Sequence, residues 1–137
     1  MTTYNATELP TDKAERLYIM VDEKPDFALV KEGITRDSLK ARFNQYRSHN
    51  PMVLLVATCE LRRRRGQLED VEEMFYDFMK EKGYEQFHGE WIKVTDREVV
   101  EAIKREGFRY FENLFYRTKN NTYYNKMVCE LWASRKK

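Results

Sequence analysis

Cysteine is nearly missing from this chain: two among 137 residues, Cys59 and Cys129, each in apolar surroundings. They form no CxxC pair and no metal-like cluster, so the plain expectation is free, buried thiols in a reducing, cytoplasmic setting. Long apolar runs are missing too. None has the length a bilayer span needs, and no membrane partner is expected. The opening stretch MTTYNATELPTDKAER lacks a basic head followed by an apolar core, so it does not read as a secretory signal. Glycine and proline are scarce, at five and three. No Gly/Ser linker, internal repeat or low-complexity tract divides the chain, and a length of 137 residues suits one domain with a modest core.

What the chain has is aromatic and charged. Aromatic residues make up 14 %, with nine tyrosines and eight phenylalanines, and charged residues make up 35 %. The net charge of +2 hides a segregation. Residues 36–66 hold eight bases against two acids, residues 67–106 six against twelve, and residues 107–137 seven against two. Two basic segments around an acidic one can focus an anionic partner onto one face, although helices also carry solvent charges for no such purpose.

The periodicities predict an α+β fold. RLYIMV and FALVKEGI read as strands, with DEKPD between them as the turn of a hairpin, because Pro25 cannot serve in a central ladder. A helix is expected over about Asp37 to Arg47, capped by Asp37 or Thr35, with Leu39, Phe43 and Tyr46 on one face. MVLLVATCEL, the most apolar run, predicts a central strand. QLEDVEEMFYDFMKEKG places Leu68, Val71, Phe75 and Phe78 at helical spacing, with Gly83 as the stop. YEQFHGEWIKV reads as a turn and a strand. TDREVVEAIKREG reads as a helix opened by a Thr95–Glu98 capping box and closed by Gly107. The aromatic, basic tail reads as a strand pair or as a strand with a helix. The expected organisation is an arm over 1–15, a domain over 16–106, and an extension over 107–137 packed on the same domain.

Hydrolysing a phosphodiester needs an activated water, positive charge where negative charge develops, and a metal or acid at the leaving oxygen. Tyr18, Lys31, Gly33, Arg42 and Glu72 come from four consecutive elements and could supply those parts in a compact fold. In the same order stand LYIM, LVKEGIT, LKARFNQYRSHNP, VEEMFYDFM and HGEW, over roughly residues 16–94. This succession resembles the GIY-YIG nuclease superfamily, in particular a branch of phage and bacterial proteins whose second motif carries a lysine. The resemblance implies a small central three-stranded antiparallel sheet flanked by helices. It also implies a DNA endonuclease using one Mg2+ or Mn2+ ion. By position it assigns the catalytic tyrosine to Tyr18, the arginine to Arg42 and the metal-binding glutamate to Glu72. Lys31 stands at the second motif's tyrosine, and Tyr76 stands where a histidine is frequent. Gly33 matches the motif glycine, whose missing side chain would let substrate and backbone approach. Gly89, Glu90 and Trp91 match the GEW element.

Each residue has a plainer alternative. Tyr18 is a base or an orienting group for water, or a packed sheet tyrosine. Arg42 is a fork for the scissile phosphate, or a solvated helix residue. Glu72 is the metal ligand, or one solvated acid among Glu69, Asp70 and Glu73. Lys31 screens phosphate or lowers the tyrosine pKa, or is structural. His49 could touch a phosphate, His88 supports the GEW turn, and Trp91 belongs to the core more than to a stacking platform. Lys40, Arg47, the run Arg62, Arg63, Arg64 and Arg65, and Arg117 with Lys119 are expected to contact DNA phosphates. Glu32 departs from the apolar residue usual after Lys31. Alternation puts it beside Val30 and Ile34, so the strand bulges, the acid pairs with a base, or the core is open there. Two other readings stay open: a nuclease-like module that binds DNA with little or no cutting, and a protein-binding inhibitor or assembly factor. The aromatic extension could also join two copies of the chain.

Overall fold

The computed structural model describes residues 9–61, 68–111 and 127–131. Two strands, β1 (Arg16–Glu23) and β2 (Ala28–Thr35), form an antiparallel hairpin in unbroken register from Arg16↔Thr35 to Glu23↔Ala28. Its turn spans Lys24 to Phe27, and the Lys24 N–H donates to the Phe27 carbonyl at 2.7 Å. Pro25 takes the second turn position, where its fixed φ fits and no N–H is required.

Helix α1 (Leu39–His49) follows, then β3 (Leu54–Leu61), α2 (Leu68–Glu81), β4 (Glu85–His88), β5 (Trp91–Val94), α3 (Arg97–Glu106), a 3-10 turn (Gly107–Phe111) and β6 (Met127–Leu131). The cap of α1 is Ser38, whose Oγ accepts from the Ala41 N–H at 3.0 Å, in place of the expected Asp37 or Thr35. Asp37 instead accepts from the Ser38 N–H, and Thr35 from the Asp37 N–H. On α3 the cap is Asp96, one residue after the expected Thr95, and Gly107 ends the helix at φ 58°.

Among the described residues the sheet has six strands in the order β4-β5-β2-β1-β3-β6, each pair antiparallel. The expected three-stranded sheet is its centre, β2-β1-β3. It is extended on one side because YEQFHGEWIKV forms a hairpin instead of a turn and one strand. On the other side a segment of the basic tail pairs with β3, from Ala57↔Leu131 to Leu61↔Met127. Both additions cover sheet edges that would otherwise expose unpaired backbone groups.

Strand alternation divides the core into two layers. Leu17, Ile19, Val21 and Val30 face Phe75 and Met79 of α2 and Val100 and Ile103 of α3. Tyr18 and Met20 face Leu39 and Phe43 of α1, together with Leu9 and Leu55. One helix therefore covers one face of the sheet and two helices cover the other. In β3 the pairing jumps between Ile19↔Ala57 and Met20↔Leu55. The surplus residue, Val56, lets Val56 and Ala57 both join the α2/α3 layer. Leu9, within the expected N-terminal arm, is buried, and the Pro10 carbonyl accepts from the Lys40 N–H at the start of α1. Cys59 is buried. The side chain of Cys129 lies outside the described part.

Candidate active site

Tyr18 and Gly33 are direct partners across the β1–β2 ladder. A Cβ built on Gly33 would lie 2.4 Å from the Tyr18 hydroxyl oxygen and 2.6 Å from its Cζ. The phenol thus lies over the glycine and occupies the space a side chain would need. Lys31, two residues back on β2, shares this face. Its Nζ is 3.5 Å from Glu90 Oε2 and 5.7 Å from the ring centre of Tyr46. Tyr46 lies four residues after Arg42 on α1, the spacing at which helix side chains meet. Its hydroxyl is 3.4 Å from that of Tyr18, and its ring meets Trp91 edge to face at 6.1 Å. Tyr18, Lys31, Gly33, Arg42, Tyr46 and Trp91 therefore gather on the α1 face.

Electrostatics define what Tyr18 can do. Burial pushes its pKa well above the ordinary phenol value. The Tyr46 hydrogen bond and charge, and more weakly Glu90, add to the rise; the Arg42 guanidinium works against it. Tyr18 keeps its proton at neutral pH. Such a group can orient a water or an oxygen through a hydrogen bond, but it does not offer a phenolate.

Glu72 comes from α2, on the other face of the sheet. It is half-buried, as is Tyr76 one turn further on, while Met79 is fully buried below them. The Tyr76 hydroxyl donates to the Glu32 carbonyl at 2.6 Å, accepts from the Glu32 N–H at 3.3 Å, and lies 3.0 Å from the Glu90 carbonyl. The last paired residues of β2 and β5 are Val30↔Ile92. Continued by two residues, that register sets Glu32 opposite Glu90. The hydroxyl sits in this opening and supplies hydrogen bonds that the ladder no longer makes. Glu32, Glu90 and Glu72 all raise the Tyr76 pKa beyond what burial does.

Glu90 consequently belongs to both sides. Its carboxylate meets Lys31 on the α1 face, and its backbone meets Tyr76 from the α2 face. Glu72 does not share one face with Tyr18 and Arg42; its charge acts on the Tyr76 hydroxyl that fills this opening. Glu32 is 1 % exposed, on the strand face that alternation assigns it. β2 carries no bulge in its ladder with β1, and the Tyr76 hydroxyl fills the opening beyond Val30↔Ile92.

Among the described residues no three His, Cys, Asp or Glu side chains converge as a ligand set for an ion. Magnesium commonly keeps several waters and binds through one or two carboxylates plus substrate phosphate. A single half-buried carboxylate at Glu72 fits that mode and leaves the remaining ligands to water and phosphate.

Other expected contacts are spread along α1. Lys40 is half-buried, Arg47 is exposed with its guanidinium 5.6 Å from the Phe43 ring, and His49 is exposed with Nδ1 beside Ser48 Oγ and the Gln45 carbonyl. Arg62, Arg63, Arg64, Arg65, Arg117 and Lys119, and the side chain of His88, lie outside the described residues. Tyr46 and Glu90 are the residues that sequence reasoning missed as site members. Their signals were present: Tyr46 follows Arg42 by one turn, and Glu90 is the centre of GEW.

No described helix is long and apolar enough to cross a membrane. A family model, the T5orf172 domain, matches residues 15–106. No curated protein and no solved structure matches the chain.

Proposed function

Since the chain belongs to the T5orf172 domain family, a GIY-YIG-like nuclease domain, we propose that it is a divalent-metal-dependent DNA endonuclease of the lysine-bearing kind. One observation carries the reading. The Tyr18 phenol lies over Gly33 with Lys31 on the same face, and Arg42 is near enough for its charge to act on the phenol.

Arg42 takes the phosphate. Its planar fork matches two phosphate oxygens and stays charged as negative charge builds. Lys31 adds a second positive charge and is drawn from Glu90 toward the anion. Tyr18 is the orienting group, donating or accepting through a proton it retains. Glu72 is the carboxylate that would hold Mg2+ or Mn2+, and the ion would supply positive charge at the departing oxygen.

A second reading has its own support. The Lys31–Glu90 pair and Tyr76 in the histidine's position favour a module that binds DNA with little or no cutting. Supercoiled plasmid with Mg2+ or Mn2+, against EDTA, separates the two. Metal-dependent nicking that Arg42→Ala reduces about 100-fold or more supports the nuclease. Retained binding without nicking by the unaltered chain leaves only the binding module.

A further inference from the structure

We propose that the cavity beside Tyr46 is a nucleobase subsite for an unpaired base carrying an exocyclic amino group. The cavity measures about 420 Å3, within the roughly 300–1,000 Å3 of small-molecule sites. It lies on the α1 face, between the end of α1 and the sheet. Tyr46 and Trp91 supply aromatic surface; Asp22, Asn50, Gln45 and His49 supply polar groups. An aromatic wall with a few convergent polar groups suits a flat heterocycle, which gains from stacking whatever its sequence identity.

The polar wall selects among bases. Asp22 is only 4 % exposed. Its carboxylate is held by the Asn50 side-chain amide and by Lys24 Nζ at 3.1 Å. A carboxylate only accepts; Asn50, with one of its two amide hydrogens given to Asp22, offers its oxygen as a further acceptor and one remaining N–H. Cytosine and adenine present an amino donor where thymine presents O4; guanine carries its amino group on N2 and an acceptor, O6, at that position. The one carboxylate in the wall, Asp22, accepts only and thus favours an amino base over thymine.

Position links the cavity to the proposed cleavage site, on which this part of the argument rests. Tyr46 belongs to both: its ring lines the cavity while its hydroxyl lies beside Tyr18. A base in the cavity and a phosphate at Arg42 and Lys31 can belong to the same or neighbouring nucleotides. A base still paired and stacked cannot lay its face against Tyr46 and Trp91 in this recess, so the strand recognised is single or has the base turned out. The preferred substrate class is then a single strand, flap or mismatch and not an intact duplex.

Free deoxynucleosides test the cavity without phosphate. Tryptophan emission of the full chain is followed against deoxycytidine, deoxyadenosine and thymidine, with Trp91→Phe identifying the Trp91 signal. Saturable quenching is expected from deoxycytidine and deoxyadenosine, with thymidine about tenfold weaker or more. Asp22→Asn, which adds donors, reduces that preference to twofold or less or inverts it. In EDTA, anisotropy of oligo-dC, oligo-dT and an abasic strand of equal length gives a measurement that needs no variant. Oligo-dC is expected to bind about tenfold tighter than the other two. Equal quenching by thymidine, or equal affinity for oligo-dC and oligo-dT, overturns the subsite. An abasic strand that binds and is cut while nucleosides do nothing sinks the subsite and leaves the nuclease. Nucleoside binding with no cutting of any strand does the reverse.

Discussion

At the scale of single residues, contact distance decides more than residue type. Gly33→Ala brings a methyl group to 2.4 Å from the Tyr18 hydroxyl, and the phenol must leave its place. Overpacking of this kind costs about 1–3 kcal/mol. Urea unfolding should show that loss, and the same variant should lose nicking if, as proposed, the displaced phenol orients the attacking water. Tyr18→Phe keeps the ring and removes only the hydroxyl. It is expected to change stability by about 0.5–1.5 kcal/mol while nicking falls far more, measured on one preparation. Proton linkage gives a third expectation. Tyr18 and Tyr76 both have folded pKa values raised above the ordinary 10. The folded state holds these protons more tightly than the unfolded chain. Their stabilisation is complete below about pH 10 and is lost as pH rises beyond it. Unfolding free energy should fall with pH above about 10, and Tyr76→Phe should flatten that slope. Sequence could place Tyr18 and Gly33 in two successive motifs. It could not assign Tyr18's protonation, which depends on burial by α1 and on Tyr46.

At the scale of elements, most of the layout was legible, for local reasons. Strand β1, strand β2 and α1 are each set by alternation or by three- and four-residue spacing, and their positions match the expected segments. Caps were the weaker point. Thr35, Asp37 and Ser38 all offer an oxygen before α1, and only geometry shows that Ser38 reaches Ala41. Ser38→Ala should therefore cost about 1 kcal/mol in thermal or urea unfolding, and Asp37→Ala less. The sheet's width was not legible. EQFH and the tail segment MVCEL are short, and neither has a strong period of its own. They become strands because the edges of β5 and β3 offer them partners. The position of Glu72 shows the same limit. Helical spacing puts Glu72, Tyr76 and Met79 on one side of α2, but it cannot tell which face of a sheet a helix will cover.

At the scale of the whole molecule, β6 bears directly on self-association. With residues 127–137 removed, the β3 backbone from Ala57 to Leu61 loses its partner. An uncovered strand edge is a template for another chain. Light scattering should find concentration-dependent association of the shortened chain that the full chain does not share. The charge pattern also acts at this scale: if the basic segments hold nucleic acid, log affinity should fall linearly with log salt. The Tyr76 hydroxyl has a larger reach than its size suggests. One oxygen on α2 is bonded to β2 at Glu32 and lies beside the turn that carries Glu90 and Trp91. A small rotation of α2 would tug Trp91 at the mouth of the aromatic cavity and, through Glu90, the grip on Lys31. A shift of α2 can thereby be felt where a strand would lie, like a pin through a board moving parts fixed to both its ends.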